Sequence, residues 1–233
     1  MSAPSNIAKR RMNALADGSS DYKAKRDELV LLAAKLFKEK GFKATTLNDL
    51  AKQAGVERAS LYYYISSKDE LIQEVIRGVT DANAAAASKI VRLKSLGPEE
   101  KLRRLVELLM ISYEENYPHM YVYMQEQMHE VEYGKTPWAK QMMRQTRRFE
   151  NMVMSLMVEG IEAGIFRDDV PPRLAANGLF GMFNWTHRWF KPGGKQTAKE
   201  ISDAFCSIFF SGMRKTAVQS ADLDYRLEER LAR

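Results

Sequence analysis

Apolar positions between residues 45 and 71 fall into two short sets on either side of Ala54-Gly55-Val56. Before that break Leu47, Leu50, Ala51 and Ala54 recur at three- and four-residue steps, the spacing of one helix face. After it Leu61 and Ile65 lie one turn apart, with Val56 in the turn itself. Gly55 suits the left-handed conformation that stops a helix sharply. Thr46 suits the start of the first helix, where its hydroxyl can accept a bond from an unpaired N–H. Two short helices around a glycine turn predict a helix-turn-helix, whose second helix enters a major groove.

The same periodicity organises the rest of the chain. Residues 1–21 have little apolar content and carry Lys9-Arg10-Arg11, which predicts a flexible basic arm. Such an arm either lies along a minor groove or is an untethered terminus. A helix from Tyr22 to Lys40 puts Leu29, Leu32, Ala33, Leu36 and Phe37 on one face, and Gly41 closes it. It completes a three-helix domain over residues 22–70. Ser67 caps a long helix from Lys68 to Leu96, whose face Leu71, Ile72, Val75, Ile76 and Val79 packs on that domain. Further helices are predicted over 99–116, 119–132, 138–164, 173–190 and 198–217, separated by Pro118, Gly134–Pro137, Asp168–Pro172 and Pro192-Gly193-Gly194. The fold class is therefore all-α, with about nine helices. An N-terminal helix-turn-helix domain precedes a helical effector-binding and dimerisation domain over 71–217, and a charged tail follows over 218–233.

At about 100° per residue, Leu61 and Ile65 share the buried side of the second helix of the motif. Tyr63 and Ala59 then point away from it, Ser60 lies beside them, and Tyr62 and Tyr64 take the two flanks. Arg58 sits in the first turn, where a guanidinium reaches a guanine edge. The flanking tyrosines suit phosphates on the groove walls, and Lys68 suits another. The plainer alternative is three tyrosines packed among neighbouring helices. Three in a row cannot all face one core, and each buried hydroxyl needs a partner.

The stretch Thr46…Leu50-Ala51…Ala54-Gly55-Val56…Ser60-Leu61-Tyr62-x-Tyr64-Ile65-x-x-Lys68-x-x-Leu71 resembles the DNA-binding signature of the TetR family of bacterial transcriptional regulators. The resemblance implies backbone contacts at Thr46, Tyr62, Tyr64 and Lys68. It implies base reading at Arg58, Ala59, Ser60 and Tyr63. Three positions depart from the pattern: Glu57 stands where a capping Ser or Thr is common, Ala59 where Gly is, and Ile65 where Phe is.

Nine of the 13 methionines and five of the ten tyrosines lie between residues 110 and 157. Methionine adapts to irregular apolar surfaces and tyrosine adds a polar tip, which together suit a pocket for a large hydrophobic molecule. The candidates are Met110, Tyr113, Tyr117, Tyr121 and Met124, then Met128, Met143, Phe149, Met152 and Phe183. A methionine-rich core without a pocket is the alternative. The last two long helices carry Leu179, Phe180, Phe205, Ile208, Phe209 and Gly212, more apolar surface than one protomer hides, and predict a homodimer closed by a four-helix bundle. In the TetR family these helices are the usual dimer interface. The segment Trp185-Thr-His-Arg-Trp189-Phe-Lys-Pro192-x-Gly194 is similar to one in TetR-type regulators of fatty-acid and steroid breakdown, some of which respond to acyl-CoA thioesters. That similarity would direct Arg144, Arg147, Arg148 or Arg188 to a ligand's phosphates; solvated helix-face arginines are the alternative.

Composition changes little in this picture. A net charge of +6 is uneven, since residues 1–70 hold 13 Lys/Arg against 9 Asp/Glu, and that places the basic excess near the motif. The single Cys206 excludes an internal disulfide framework and fits a reducing cytoplasm. No apolar run is long enough to span a membrane. His119, His129 and His187 lack metal-site spacing, and neither a phosphate loop nor a nucleophile turn occurs. The chain is thus expected to be a cytoplasmic regulator rather than an enzyme, with no metal or cofactor. Its expected partners are a double-stranded inverted-repeat DNA operator, a small hydrophobic effector that releases it, and a second copy of itself. A DNA-binding dimer without an effector, or a helical lipid-processing enzyme, are the rival readings.

Overall fold

Thr46 begins the first helix of the motif with a reciprocal cap. Its hydroxyl accepts from the Asp49 N–H at 3.1 Å while its own N–H donates to the Asp49 carboxylate at 2.8 Å. The Lys40 ammonium, 2.8 Å from the same carboxylate, and the Thr46 bonds hold the Asp49 carboxyl far below its ordinary range. Gly55 turns the chain at φ 64°, the left-handed conformation that its lack of a Cβ permits. The computed structural model describes residues 6–127 and 137–215. Among these residues there are ten α-helices: α1 (Asn6–Asp17), α2 (Ser20–Lys40), α3 (Leu47–Gln53), α4 (Arg58–Tyr64), α5 (Lys68–Arg92), α6 (Pro98–Glu115), α7 (His119–Gln127), α8 (Pro137–Glu162), α9 (Pro172–Asn184) and α10 (Ala198–Met213).

The extra helix is α1, where the sequence predicts an arm. Ala, Lys, Arg and Met have high intrinsic helix propensity without needing an apolar stripe. Gly18 at φ 62° closes the helix, with its N–H on the Ala14 carbonyl. Three other ends differ from expectation, the first being that of α5, which stops at Arg92 rather than at Leu96 and gives way to a turn before Pro98. The helix predicted over 173–190 stops at Asn184 and continues as a 3₁₀ turn over Trp185–Arg188, where the buried Thr186 hydroxyl donates to the Phe183 carbonyl at 2.7 Å. The last helix ends at Met213 rather than near 217, because Arg214 pairs with Phe166 as an isolated antiparallel bridge and reaches Glu99 at 2.7 Å.

The chain divides into two compact units, one of Met1–Asn83 with Glu115–Lys140 and one of Ala84–Glu114 with Gln141–Arg233. In the first, Leu29, Leu36 and Phe37 of α2 are buried together with Leu50, Leu61, Ile65, Leu71 and Ile76. The Arg26 guanidinium binds Glu70 at 2.8 Å and Glu74 at 2.9 Å and so ties α2 to α5. Lys68 donates to the carbonyls of Phe42, Lys43 and Thr45 at 2.8, 3.2 and 3.0 Å, which anchors the start of α5 to the α2–α3 connection. The short α7 packs on α2, with Met120, Val122 and Met124 buried and the Lys38 ammonium 4.6 Å from the Tyr117 ring.

In the second unit Leu102, Leu105 and Met110 of α6, Leu156 and Met157 of α8, Leu179 of α9 and Phe210 of α10 are sealed from solvent. Phe166 stacks on Phe210 with ring centroids 5.8 Å apart. Its ring lies directly against the backbone of Gly160, where a Cβ would collide with it.

Gly160→Ala is therefore expected to destabilise the chain by about 1–3 kcal/mol through overpacking, whereas in an open helix the same change stabilises by about 1 kcal/mol. Urea unfolding checks this, and combining it with Phe166→Ala should remove most of the Gly160→Ala penalty. Burial pushes the Glu70 carboxyl up, but the bonds from Ser66 and Arg26 outweigh it and hold the pKa below the ordinary 4.5. A depressed carboxyl contributes stability that is complete above the unfolded-state value and is lost as the pH falls through the folded-state value. Thermal melts between pH 7 and 3 should show this loss below about pH 4.5, and Glu70→Gln should flatten it. Arg26→Ala, which strands two half-buried carboxylates, should cost about 3 kcal/mol at neutral pH.

Candidate nucleic-acid interface and effector site

The recognition surface is set by what α4 hides. Leu61 and Ile65 are fully buried, while Arg58, Ala59 and Ser60 are exposed and Tyr62, Tyr63 and Tyr64 half-exposed. All six outward positions expected from the sequence thus lie on one open face and its flanks. Arg58 donates to the Tyr62 hydroxyl at 3.1 Å, with its guanidinium 5.8 Å from that ring. This i,i+4 contact holds a long side chain extended at the start of α4. Thr46 is exposed, but its N–H and hydroxyl are both engaged in the α3 cap. Lys68 has its three donors on three backbone carbonyls.

Sequence reasoning missed Tyr22. Its ring stacks on Tyr64 at 5.1 Å and meets Tyr63 edge-on at 5.3 Å, and its hydroxyl donates to the Tyr63 carbonyl at 3.2 Å. Burial pushes its pKa up, so the hydroxyl keeps its proton to donate. The pattern puts Tyr22 at a helix start, and nothing local signals that α4 would end against it. Arg11 was expected in a flexible basic arm; instead its Nη1 donates to the Tyr62 carbonyl at 3.4 Å.

In the second unit a cavity of about 20 Å³ lies between Leu102, Leu105, Val106 and Leu109 of α6, Phe149 and Val153 of α8, and Leu179, Phe180 and Phe183 of α9. Its lining is wholly apolar, which leaves a water no partner. Of the expected effector residues, Phe149 and Phe183 line it. Met110 and Tyr113 are fully buried in the same unit, and Tyr113 stands 5.5 Å from the Phe190 ring. Met143 and Met152 are half-buried there. Tyr117, Tyr121 and Met124 belong instead to the unit that carries α4, and Met128 lies outside the described residues. Of the expected dimer residues, Ile208 is 68% exposed, Gly212 is exposed, and Phe180, Phe205 and Phe209 are half-exposed. Leu179 is buried and turned into the cavity lining. Leu174, Trp185 and Trp189 add to the exposed apolar surface. Arg144, Arg147, Arg148 and Arg188 are exposed, and Arg188 lies over the Trp185 ring at 4.6 Å.

Among the described residues no group of three or more His, Cys, Asp or Glu is arranged to hold a metal ion. Burial pushes the Cys206 thiol up to about 11, which keeps it protonated and unreactive. No helix among the described residues is long and apolar enough to cross a membrane.

Residues 29–75 match the model of the tetR family of bacterial regulatory proteins, and residues 95–213 match that of the tetracyclin repressor-like C-terminal domain. The chain belongs to the TetR family. Over 195 residues it is 30% identical to the HTH-type transcriptional repressor KstR2 of Mycobacterium tuberculosis, covering 84% of this chain and 96% of that protein. The solved structure of that ketosteroid transcriptional regulator superposes with a TM-score of 0.76 at 29% identity, over 82% of this chain and 95% of the other. The TetR regulator PfmR of Thermus thermophilus superposes with a TM-score of 0.68 at 31% identity, over 80% and 99%. This TetR-family chain is a DNA-binding transcriptional regulator, and α3–α4 is its helix-turn-helix.

Tyr22 is 6% exposed, so it acts on DNA only through α4. Tyr22→Ala is expected to cost about 3 kcal/mol of stability and to weaken DNA binding, while Tyr22→Phe, which loses one hydrogen bond, stays within about 1 kcal/mol. Thermal melts paired with fluorescence-anisotropy titrations check both.

Proposed function

We propose that this chain is a repressor: two copies bind an inverted-repeat operator, one half-site each, and a large hydrophobic or acyl-CoA-like effector releases them. The observation that carries the reading is the open face of α4, with Arg58, Ala59 and Ser60 exposed above a sealed Leu61 and Ile65. Arg58, Ala59, Ser60 and Tyr63 read base edges. Tyr62, Tyr64 and Thr46 meet phosphates, and Lys68 holds the α2–α3 connection while adding its charge to the groove wall. Residues 22–70 do the reading, and residues 71–217 bind effector and pair the protomers. The pairing surface is built from Phe180, Phe205, Ile208, Phe209 and Gly212, with Leu174 beside them.

The effector is proposed to enter the apolar interior between α6, α8 and α9, next to Phe149 and Phe183. Ligand pockets measure roughly 300–1,000 Å³, so a cavity of about 20 Å³ must open to admit one. That opening is what couples the sites: a ligand bound only by the opened form shifts the population toward it. A differential affinity of a few kcal/mol, about 10²–10³-fold, lowers operator occupancy correspondingly. A relative whose name is ketosteroid transcriptional regulator supports a steroid-sized apolar effector. The exposed Arg144, Arg147, Arg148 and Arg188 would meet the phosphates of a coenzyme A thioester. The reading involves no catalytic step and places the protein in the cytoplasm.

Arg58→Ala with Tyr63→Ala should weaken binding to the DNA flanking its own gene by more than about 100-fold, with helix content unchanged by circular dichroism. Steroid and long-chain acyl-CoA thioesters should release wild-type protein from that DNA and raise its melting temperature, and coenzyme A alone should not. Retained operator binding by the double variant would sink the assignment of α4. Failure of every thioester and free acid to alter either readout would leave a DNA-binding dimer without an effector.

A further inference from the structure

The helix α1 is not needed to complete the helix-turn-helix, yet it packs against α4 and its Arg11 guanidinium sits on the Tyr62 carbonyl. That carbonyl is among the last four of α4, which have no partner within the helix and carry the negative end of its dipole. Where this places α1 follows from dimensions. A major groove is about 12 Å wide and a helix with its side chains about 10–12 Å across, so α4 fills a groove from wall to wall. Packed helices lie about 8–10 Å apart, axis to axis. The back of α4, at Leu61 and Ile65, is covered by α2 and α3. The Tyr62 carbonyl points along the axis at the C-terminal end of α4, so α1 docks beside that end, and a neighbour of a helix that fills the groove stands next to its wall, which is a phosphate strand. Lys9 and Arg10 are exposed on that helix, and no carboxylate pairs with either among the described residues.

We propose that α1 is a second, sequence-independent contact with the duplex: Lys9 and Arg10 bind phosphates of the strand that walls the groove, and Arg11 keys α1 to the end of α4. The proposal rests on α4 being the recognition helix and adds a surface outside the helix-turn-helix. Charge complementarity and continuity with that interface single out the occupant. A phosphodiester backbone takes point charges without reading sequence, which is what two exposed cations on a helix of 12 residues can supply.

The test is the salt dependence of operator binding by the full chain. Lys9→Ala with Arg10→Ala removes four phosphate contacts per dimer, each worth about 0.9 in the slope of log K against log salt, so the slope should become shallower by roughly 3–4. Affinity for operator and for unrelated duplex should fall by the same factor, which leaves their ratio unchanged. Lys191→Ala with Lys195→Ala, the same charge loss on exposed residues of the other unit, should leave the slope as it was. An unchanged slope in the α1 variant, an equal change in the control, or a loss confined to the operator would each overturn the proposal while the regulator reading stood. No operator binding by the unaltered chain would overturn both.

Discussion

The burial of two aliphatic side chains one helical turn apart decides how this protein meets DNA. Leu61 and Ile65 are fully sealed against α2 and α3, and at about 1.5–3 kcal/mol for each such side chain they fix the rotation of a helix only seven residues long. Slipping α4 by one position, about 100°, would bury Tyr62 and expose Leu61. A helix this short has almost no stability of its own. Its outward face is therefore a consequence of its inward one. The contacts around it act on the same degree of freedom: Tyr22 abuts the last turn, Arg11 sits on its carbonyl end, and Gly55 sets the entry.

The unit that carries α4 is held by polar ties as well as by its core. Arg26 bridges α2 to two carboxylates of α5, and Lys68 collects three carbonyls at the start of α5. Each tie is directional, whereas apolar packing alone tolerates small rotations. Reading base edges requires positional error well under the length of a hydrogen bond, so directional ties at the root of α5 suit the task. The second unit shows the opposite character. Its interior around α6, α8 and α9 is apolar, methionine-bearing and nearly filled, a packing that can be rearranged without stranding a polar group.

Much of this was legible beforehand because it is local. Helix faces, the Thr46 and Ser67 caps and the Gly55 turn follow from residues within a few positions of one another. What was not legible involves partners distant in sequence. Residues 6–17 are polar on average although their few apolar residues favour one face, and only their contact with α4, some fifty residues later, reveals a packed helix. The break at Asn184 depends on a hydroxyl turning back to a carbonyl, and the end of α10 depends on Arg214 finding Phe166 and Glu99. The methionine- and tyrosine-rich stretch reads as one region in sequence, yet its residues fall in two units, because α7 packs on α2.

By itself the sequence determined the all-α class and which side chains α4 turns outward, since both follow from short-range periodicity and turn chemistry, and its motif carried the resemblance to the family. Tertiary structure alone decided which residues hold α4 in place, and which of the expected effector and dimer residues face the interior. Leu179 illustrates the difference: it is as apolar as its neighbours on α9, but packing turns it into the protomer while Leu174 stays 62% exposed. Periodicity gives the phase of a face but not the neighbour that covers it, and burial is a property of that neighbour.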